Sequence, residues 1–196
     1  MKIKIHQIFK QTCVSLLFFT FTGATYAQCS APKFEPLRYA QDSVNTDSWI
    51  SLSVGPSLAS LSIPSGFTSI SITEEGSLIF SKDEKTELRG IIIFEKTGDY
   101  QEDPNIAENI QSFYKKMFTA PDDSYCDYLT TYKLESKEYR FHAQIDGGEF
   151  FAFGENNQHR FYILINKKPD VIIAGNIQNI DLKYFKYILN SIKIKG

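Results

Sequence analysis

The type of fold is decided by residues 139–153, which read YRFHAQIDGGEFFAF. In the first half of this stretch apolar and polar residues alternate, which is the period of a β-strand with one buried face. Gly147 and Gly148 interrupt the alternation and predict a two-residue hairpin turn. The chain then returns as a second strand through residues 150–153. The stretch therefore predicts a β-hairpin with one apolar face.

On both sides of this hairpin, short apolar segments bounded by turn residues predict further strands. These segments are residues 50–54, 58–63, 67–72, 77–80, 88–95, 129–134, 160–166 and 171–174. A continuous apolar run, Ile91 to Phe94, is typical of a central strand covered on both faces. Because most of the connections are short, we expect the strands to pair mainly in the antiparallel sense.

Two apolar stripes with helical spacing accompany the strands. Asp103 and Pro104 have the residue types of an N-cap and a first helical position, so the first helix should begin there. The second helix should begin near Asn179. We therefore predict an α+β fold, with a mainly antiparallel sheet of six to eight strands flanked by two main helices, which is an α/β/α sandwich.

The N-terminus has the pattern of a cleavable signal peptide, residues 1–27. Three lysines and no acidic residue precede an apolar run over residues 13–21, and small residues stand at Thr25 and Ala27. The apolar run is too short for a membrane anchor, which needs roughly 20 residues. We expect cleavage near Ala27 and a periplasmic or secreted protein, with residues 28–47 as an extended leader and residues 48–196 as a single α+β domain.

A lipoprotein is the competing interpretation, because Cys29 lies just after the cleavage site. Lipid attachment normally requires Gly, Ala or Ser before the cysteine, and this chain has Gln28 there, so lipidation is disfavoured.

The mature chain keeps two cysteines, Cys29 and Cys126. An even number in an oxidising compartment indicates one disulfide. Free or otherwise paired thiols are the first alternative. A catalytic cysteine is the second, although no CxxC motif supports it.

The charge of the mature chain differs from that of the whole chain. The full sequence has 21 Lys and Arg against 23 Asp and Glu. Residues 1–27 contain three lysines and no acid, so the mature chain has 18 cationic residues and a net charge of −5. This acidity argues against nucleic acid and anionic membrane surfaces, and it is compatible with a basic protein partner.

The order of elements resembles the PsbP-like and DcrB-like superfamily. The segment IPSGF at residues 63–67 resembles an early turn of that superfamily, the helix from Asp103 its mid-chain helix, and ILNSI at residues 188–192 its closing helix. The resemblance spans about residues 48–195 and implies an α/β/α sandwich with a central antiparallel sheet. It also implies a binding or assembly factor, several members being exported, and it supplies no catalytic residue.

No motif of known catalytic or metal chemistry stands in the sequence. HxH, HExxH, CxxC, GxSxG and a glycine-rich phosphate loop are all missing. His142 and His159 could act only if they converged with carboxylates such as Asp146 or Glu149. We therefore predict no catalytic, cofactor-binding or metal-binding residues.

Tyrosine and phenylalanine are abundant, and we expect some of them to form a surface that binds a protein partner. The candidate residues are Tyr125, Tyr128, Tyr132 and Tyr162. The alternative is that antiparallel strands simply favour aromatic residues.

The sequence thus favours an exported, non-catalytic protein that binds a protein partner, such as an immunity or inhibitor protein against a secreted toxin. An envelope-assembly or small-molecule-binding factor is the first alternative. A hydrolase with an unrecognised motif is the second.

Overall fold

The computed structural model describes residues 29–38, 44–55, 57–65, 67, 69–74, 76–82, 89–100, 106 and 109–195. The predicted signal peptide lies outside these residues. The helices and strands of the described part are, in chain order, β1 (Glu35–Pro36), β2 (Ile50–Val54), β3 (Ala59–Ile63), β4 (Ser69–Ile72), β5 (Leu78–Ser81), β6 (Arg89–Lys96), α1 (Ile110–Thr119), α2 (Cys126–Tyr132), β7 (Tyr139–Ile145), β8 (Gly148–Glu155), β9 (Gln158–Ile165), β10 (Val171–Gln178), α3 (Leu182–Asn190) and β11 (Lys193–Ile194).

The main sheet has eight strands in the order β1-β7-β8-β9-β10-β6-β5-β4. All its pairings are antiparallel except that of β1 with β7, which is parallel. The predicted fold class, a mainly antiparallel sheet of six to eight strands with two main helices, is confirmed. A second sheet, β11-β3-β2, was not foreseen, because the early strands give no sign of which sheet they join.

The central hairpin forms as predicted, but its turn lies one residue earlier. Ile145 pairs with Gly148, so Asp146 and Gly147 form the two-residue turn. Gly147 has a φ of 84°. This left-handed conformation favours glycine at that position and explains why the turn is placed there.

The two faces of the main sheet bury two different cores. One face, called here the α3 face, packs against α3 and the small sheet through residues such as Phe150, Phe161, Ile173 and Phe185. The other, called the α1 face, packs against α1 and α2 through residues such as Phe113, Phe118, Phe151 and Phe153. Residues alternate between the two faces along each strand, and this alternation makes the fold a sandwich.

The predicted strand over residues 129–134 is wrong. Residues 126–132 form α2, and a 3₁₀ turn follows at Leu134–Ser136. The helix ends because Lys133 adopts a φ of 51°. The β-branched and aromatic residues of this segment favour a strand locally, but packing of Leu129 and Leu134 into the core prevails.

The two main helices begin later than predicted. Asp103 and Pro104 lie outside the described residues, and α1 begins at Ile110 with Asn109 as its N-cap. The Asn109 side chain accepts a hydrogen bond from the Ser112 backbone N–H at 2.9 Å, as a cap should. α3 begins at Leu182 rather than near residue 179, where a φ of 60° is incompatible with a right-handed helix.

Residues 29–38 of the predicted leader are fixed to the domain at three points. Cys29 is bonded to Cys126. β1 pairs with β7 at the edge of the sheet. The Phe34 ring lies 5.5 Å from the ring of Phe118 and 5.2 Å from that of Phe151. This segment therefore contributes to the core on the α1 face.

Candidate functional site

Part of the α1 face is left open by the helices. Where α1 lies over the sheet, residues such as Leu164 and Ile172 are only 2% and 0% exposed. Further along the same face, over β10, β6 and β5, Ile79 is 42% exposed. Its neighbours on this face are half-buried, and they are Ile91, Ile93, Ala174 and Asn176. We call this strip of five residues the open groove.

Three depressions join along the groove. One, of ≈ 420 Å³, lies at the β5 end and is lined by Ile79 and Ile91. A second, of ≈ 210 Å³, lies over Ile93 and Ala174. A third, of ≈ 230 Å³, lies at the end nearest α2. Asn176 lines all three, so they adjoin one another along the groove.

Asn176 places an unpaired acceptor in the floor of the groove. Its Oδ1 atom is buried and has no hydrogen-bond partner in the part of the chain that the structure describes. Such a group costs about 1–3 kcal/mol relative to a satisfied one, so native structures contain few of them. A ligand donor would remove the cost once the Asn176 amide turned this atom toward the open side of the groove.

The end of the groove nearest α2 is aromatic and cationic. The Arg160 guanidinium lies 5.6 Å from the centroid of the Tyr132 ring. That ring makes an edge contact with Tyr162 at 6.1 Å. Lys133 and Lys137 line the same depression, and Lys137 is paired with Glu155. No described carboxylate lies within ion-pair distance of Arg160.

A half-buried carboxyl group, Glu95, lines the second depression and belongs to the tyrosine packing around it. It accepts a hydrogen bond from the Tyr100 hydroxyl at 2.5 Å. Burial raises the pKa of Glu95, and the hydroxyl groups of Tyr100 and Tyr114 oppose that shift. The carboxyl group is therefore held by neighbouring tyrosines, without a cation among its principal contacts.

Two of the four tyrosines predicted to form a binding surface do not lie at the surface. Tyr125 and Tyr162 are only 5% and 6% exposed and belong to the core under α1. Tyr128 is half-buried, with its ring 4.9 Å from Phe113. Tyr132 is half-buried at the wall of the groove. α2 and the turn before it direct Tyr125, Tyr128 and Tyr132 toward the core, and Tyr162 lies on β9 beneath α1.

Cys29 and Cys126 form a disulfide, with a Cα–Cα distance of 5.4 Å. The bond joins the first described residue to the first residue of α2. Neither sulfur is a free thiolate in this state, so neither can act as a nucleophile.

His142 belongs to a polar cluster at the other end of the α1 face. The Glu149 carboxylate accepts hydrogen bonds from Lys115 Nζ at 2.7 Å and from His142 Nε2 and Gln144 Nε2 at 2.8 Å. The His142 ring stacks on Phe151 at 4.5 Å. Burial raises the pKa of Glu149, but the hydrogen bonds from Lys115 and His142 prevail and hold it below its usual value.

His159 lies on the opposite face of the sheet and is 1% exposed. Its Nε2 atom donates to the carbonyl of Ile180 at 2.6 Å, and its Nδ1 atom contacts the Tyr139 hydroxyl. Burial lowers the pKa of His159, which favours the neutral ring. The two histidines therefore do not converge. The described residues also contain no group of three His, Cys, Asp or Glu placed to hold a metal ion.

Sequence reasoning missed the open groove. The one signal was Asn176, a polar residue in the middle of the apolar strand VIIAGNIQ at residues 171–178. Its meaning depends on where α1 and α2 lie, which the sequence pattern does not specify.

Comparison with known proteins finds no matching protein-family model and no significant match among curated proteins. Among solved structures, the Ran-binding protein Mog1p of Saccharomyces cerevisiae is similar, with 11% identity and a TM-score of 0.33. A point mutant of the protein Mog1 is similar with 10% identity and a TM-score of 0.34. Each match covers 74% of this chain and 95% of the other. The PsbP-like and DcrB-like resemblance stays a prediction.

A search of the described helices for a candidate membrane span found none with the required length and apolar character.

Proposed function

We propose that this chain is an exported, non-catalytic protein that binds a segment of a protein partner in the open groove. The observation that carries the proposal is the open groove itself, an apolar strip that the helices leave uncovered, with the half-buried side chain of Asn176 in its floor. An apolar strip next to one unsatisfied acceptor matches a peptide, which supplies both apolar side chains and main-chain N–H donors.

The chemistry of the groove specifies the segment further. Apolar side chains of the partner would cover Ile91 and Ile93, and a main-chain N–H would donate to Asn176. An acidic side chain would lie against Arg160, near Lys133. The net charge of −5 for residues 28–196 favours a basic partner, but the local cations favour an acidic residue at this contact. The partner would then be basic as a whole and acidic where it enters the groove.

Export is supported by the signal pattern of residues 1–27 and by the disulfide, which forms and persists in oxidising compartments. The disulfide also bears on the lipoprotein alternative, because the Cys29 sulfur cannot be bonded to Cys126 and to a lipid at the same time. A periplasmic or secreted immunity or inhibitor protein is the most concrete form of this function. A small-molecule or assembly factor is the competing form.

The test compares partner capture by variants of the mature protein. Ala174→Arg places a long cation in the floor of the groove and should abolish capture. Arg160→Glu should weaken capture and should reduce its dependence on salt. Asn166→Arg adds the same cation in the exposed turn after β9 and serves as the matched control. Each variant is used as immobilised bait for extract from the exported fraction of the source cells.

A stoichiometric protein that is retained by the wild type and by Asn166→Arg, and lost with Ala174→Arg, is the expected result. Equal retention by all the baits would contradict the groove as the binding site. A small molecule found by mass spectrometry in the wild type and lost in Ala174→Arg would establish the competing function instead.

A further inference from the structure

The edge strand β4 is exposed along its whole length. Ile70 is 45% exposed and Ile72 is 74% exposed, while Ser69 and Ser71 are exposed on the other face. β4 pairs with β5 on one side, and no described strand pairs with its outer side. The strand contains no Lys, Pro or acidic residue, which are the groups that usually prevent an edge from pairing.

The hydrogen bonds of the β4–β5 pair show which residues of β4 direct their backbone N–H and C=O groups away from the sheet. The Thr73 N–H donates to the Ser77 carbonyl at 2.8 Å, so residues 73 and 77 form a hydrogen-bonded pair. Such pairs alternate along an antiparallel ladder. Ser71 and Ser69 therefore bond to β5, and the N–H and C=O groups of Ile70 and Ile72 point away from the sheet.

We propose that β4 pairs with β4 of a second copy of this chain, antiparallel about a twofold axis at Ser71. Outward-pointing residues of one strand must pair with outward-pointing residues of the other. Ile70 then lies opposite Ile72 of the second copy, and Ile72 lies opposite Ile70. Both apolar residues are covered on one face, and four intermolecular hydrogen bonds satisfy the outward groups.

The edge is complementary to a second copy of itself, because the sequence Ile70-Ser71-Ile72 reads the same in both directions. Self-pairing sets isoleucine against isoleucine and serine against serine, and it brings no charges into opposition. The contact is short and falls below the roughly 1,000 Å² of a stable interface, so the dimer should be weak and concentration-dependent. The twofold axis is perpendicular to the sheet, so the open grooves of the two copies lie on the same side.

Disulfide trapping tests this register directly. In Ser71→Cys the new cysteine faces itself across the axis, at a Cα–Cα distance of about 4.5 Å. That distance lies within the range that a disulfide spans. In Ser69→Cys the two new cysteines would be separated by four residues along the strands, about 13 Å, which is out of reach. Each mature variant is oxidised at high protein concentration and analysed by non-reducing electrophoresis.

Ser71→Cys should give a covalent dimer and Ser69→Cys should stay monomeric. Adding Ile72→Lys to Ser71→Cys should lower cross-linking to the level of Ser69→Cys, because a cation replaces an isoleucine contact. Adding Asn166→Lys, in the exposed turn after β9 and three strands away from β5, should leave it unchanged. Equal cross-linking of the two cysteine variants, or none in either, would overturn the proposal.

Discussion

At the residue scale, Asn176 allows the proposed binding function to be tested against stability. The Oδ1 atom of Asn176 is unpaired among the described residues, and Asn176→Leu keeps the approximate volume while it removes this buried polar group. We expect the free energy of unfolding to rise, by up to about 1–3 kcal/mol. Capture of the partner should fall in the same variant. Urea denaturation measures the first effect, and a loss of stability would show that the amide makes a structural hydrogen bond.

Glu149 is the residue at which stability should depend most clearly on pH. Its pKa is lowered in the folded protein, so its contribution is present above the pKa of the unfolded chain and is lost as the pH falls through the folded value. Glu149→Gln should lower the free energy of unfolding at pH 7 by about 1–3 kcal/mol, because Lys115 and His142 lose a charged acceptor.

The difference in the free energy of unfolding between the wild type and Glu149→Gln should decrease in strong acid, because the wild-type carboxylate is then protonated. Urea titrations at pH 7 and below about pH 4 would measure it. Glu155→Gln, in the same strand but with a side chain 34% exposed against 6% for Glu149, is the matched control and should have a smaller effect. A deficit that does not depend on pH would contradict the role assigned to the charge.

At the scale of an element, the end of α2 is a position where the sequence is locally strained. Lys133 has a φ of 51°, which costs a residue with a Cβ atom about 1–2 kcal/mol. Lys133→Gly should stabilise the protein by up to about 1 kcal/mol, the gain being reduced by the greater freedom of glycine in the unfolded chain. Lys133→Ala removes the same charge but keeps the strain, and thermal unfolding of the two variants separates the effects.

The sequence predicts well those elements in which buried and exposed residues alternate regularly along the chain. The alternation of residues 139–145 needs no knowledge of the rest of the fold, and β7 and β8 form as expected. Residues 129–134 contain β-formers that a helix can also bury, and only the position of the core decides between the two. The open groove could not be predicted for a related reason, since it depends on how far α1 and α2 extend over the sheet.

At the scale of the whole molecule, the disulfide makes stability depend on the redox state of the compartment in which the protein folds. Cys29 and Cys126 are 97 residues apart, and a loop of that size is worth about 4–5 kcal/mol in the chain-entropy model. The variant with both Cys29→Ser and Cys126→Ser should lose up to that amount, measured by urea denaturation. Reduced wild type should behave like the variant, and a fully stable reduced protein would show that the bond is dispensable.

This dependence makes export testable through the fold. The full chain, expressed in a host with an oxidising periplasm, should be recovered there as a protein that begins at Gln28. Its mass should lack the two hydrogens of the free thiols and carry no lipid. Expressed from residue 28 in a reducing cytosol, the chain should keep both thiols and unfold at lower urea. If both preparations were equally stable and had free thiols, the disulfide would give no support to export.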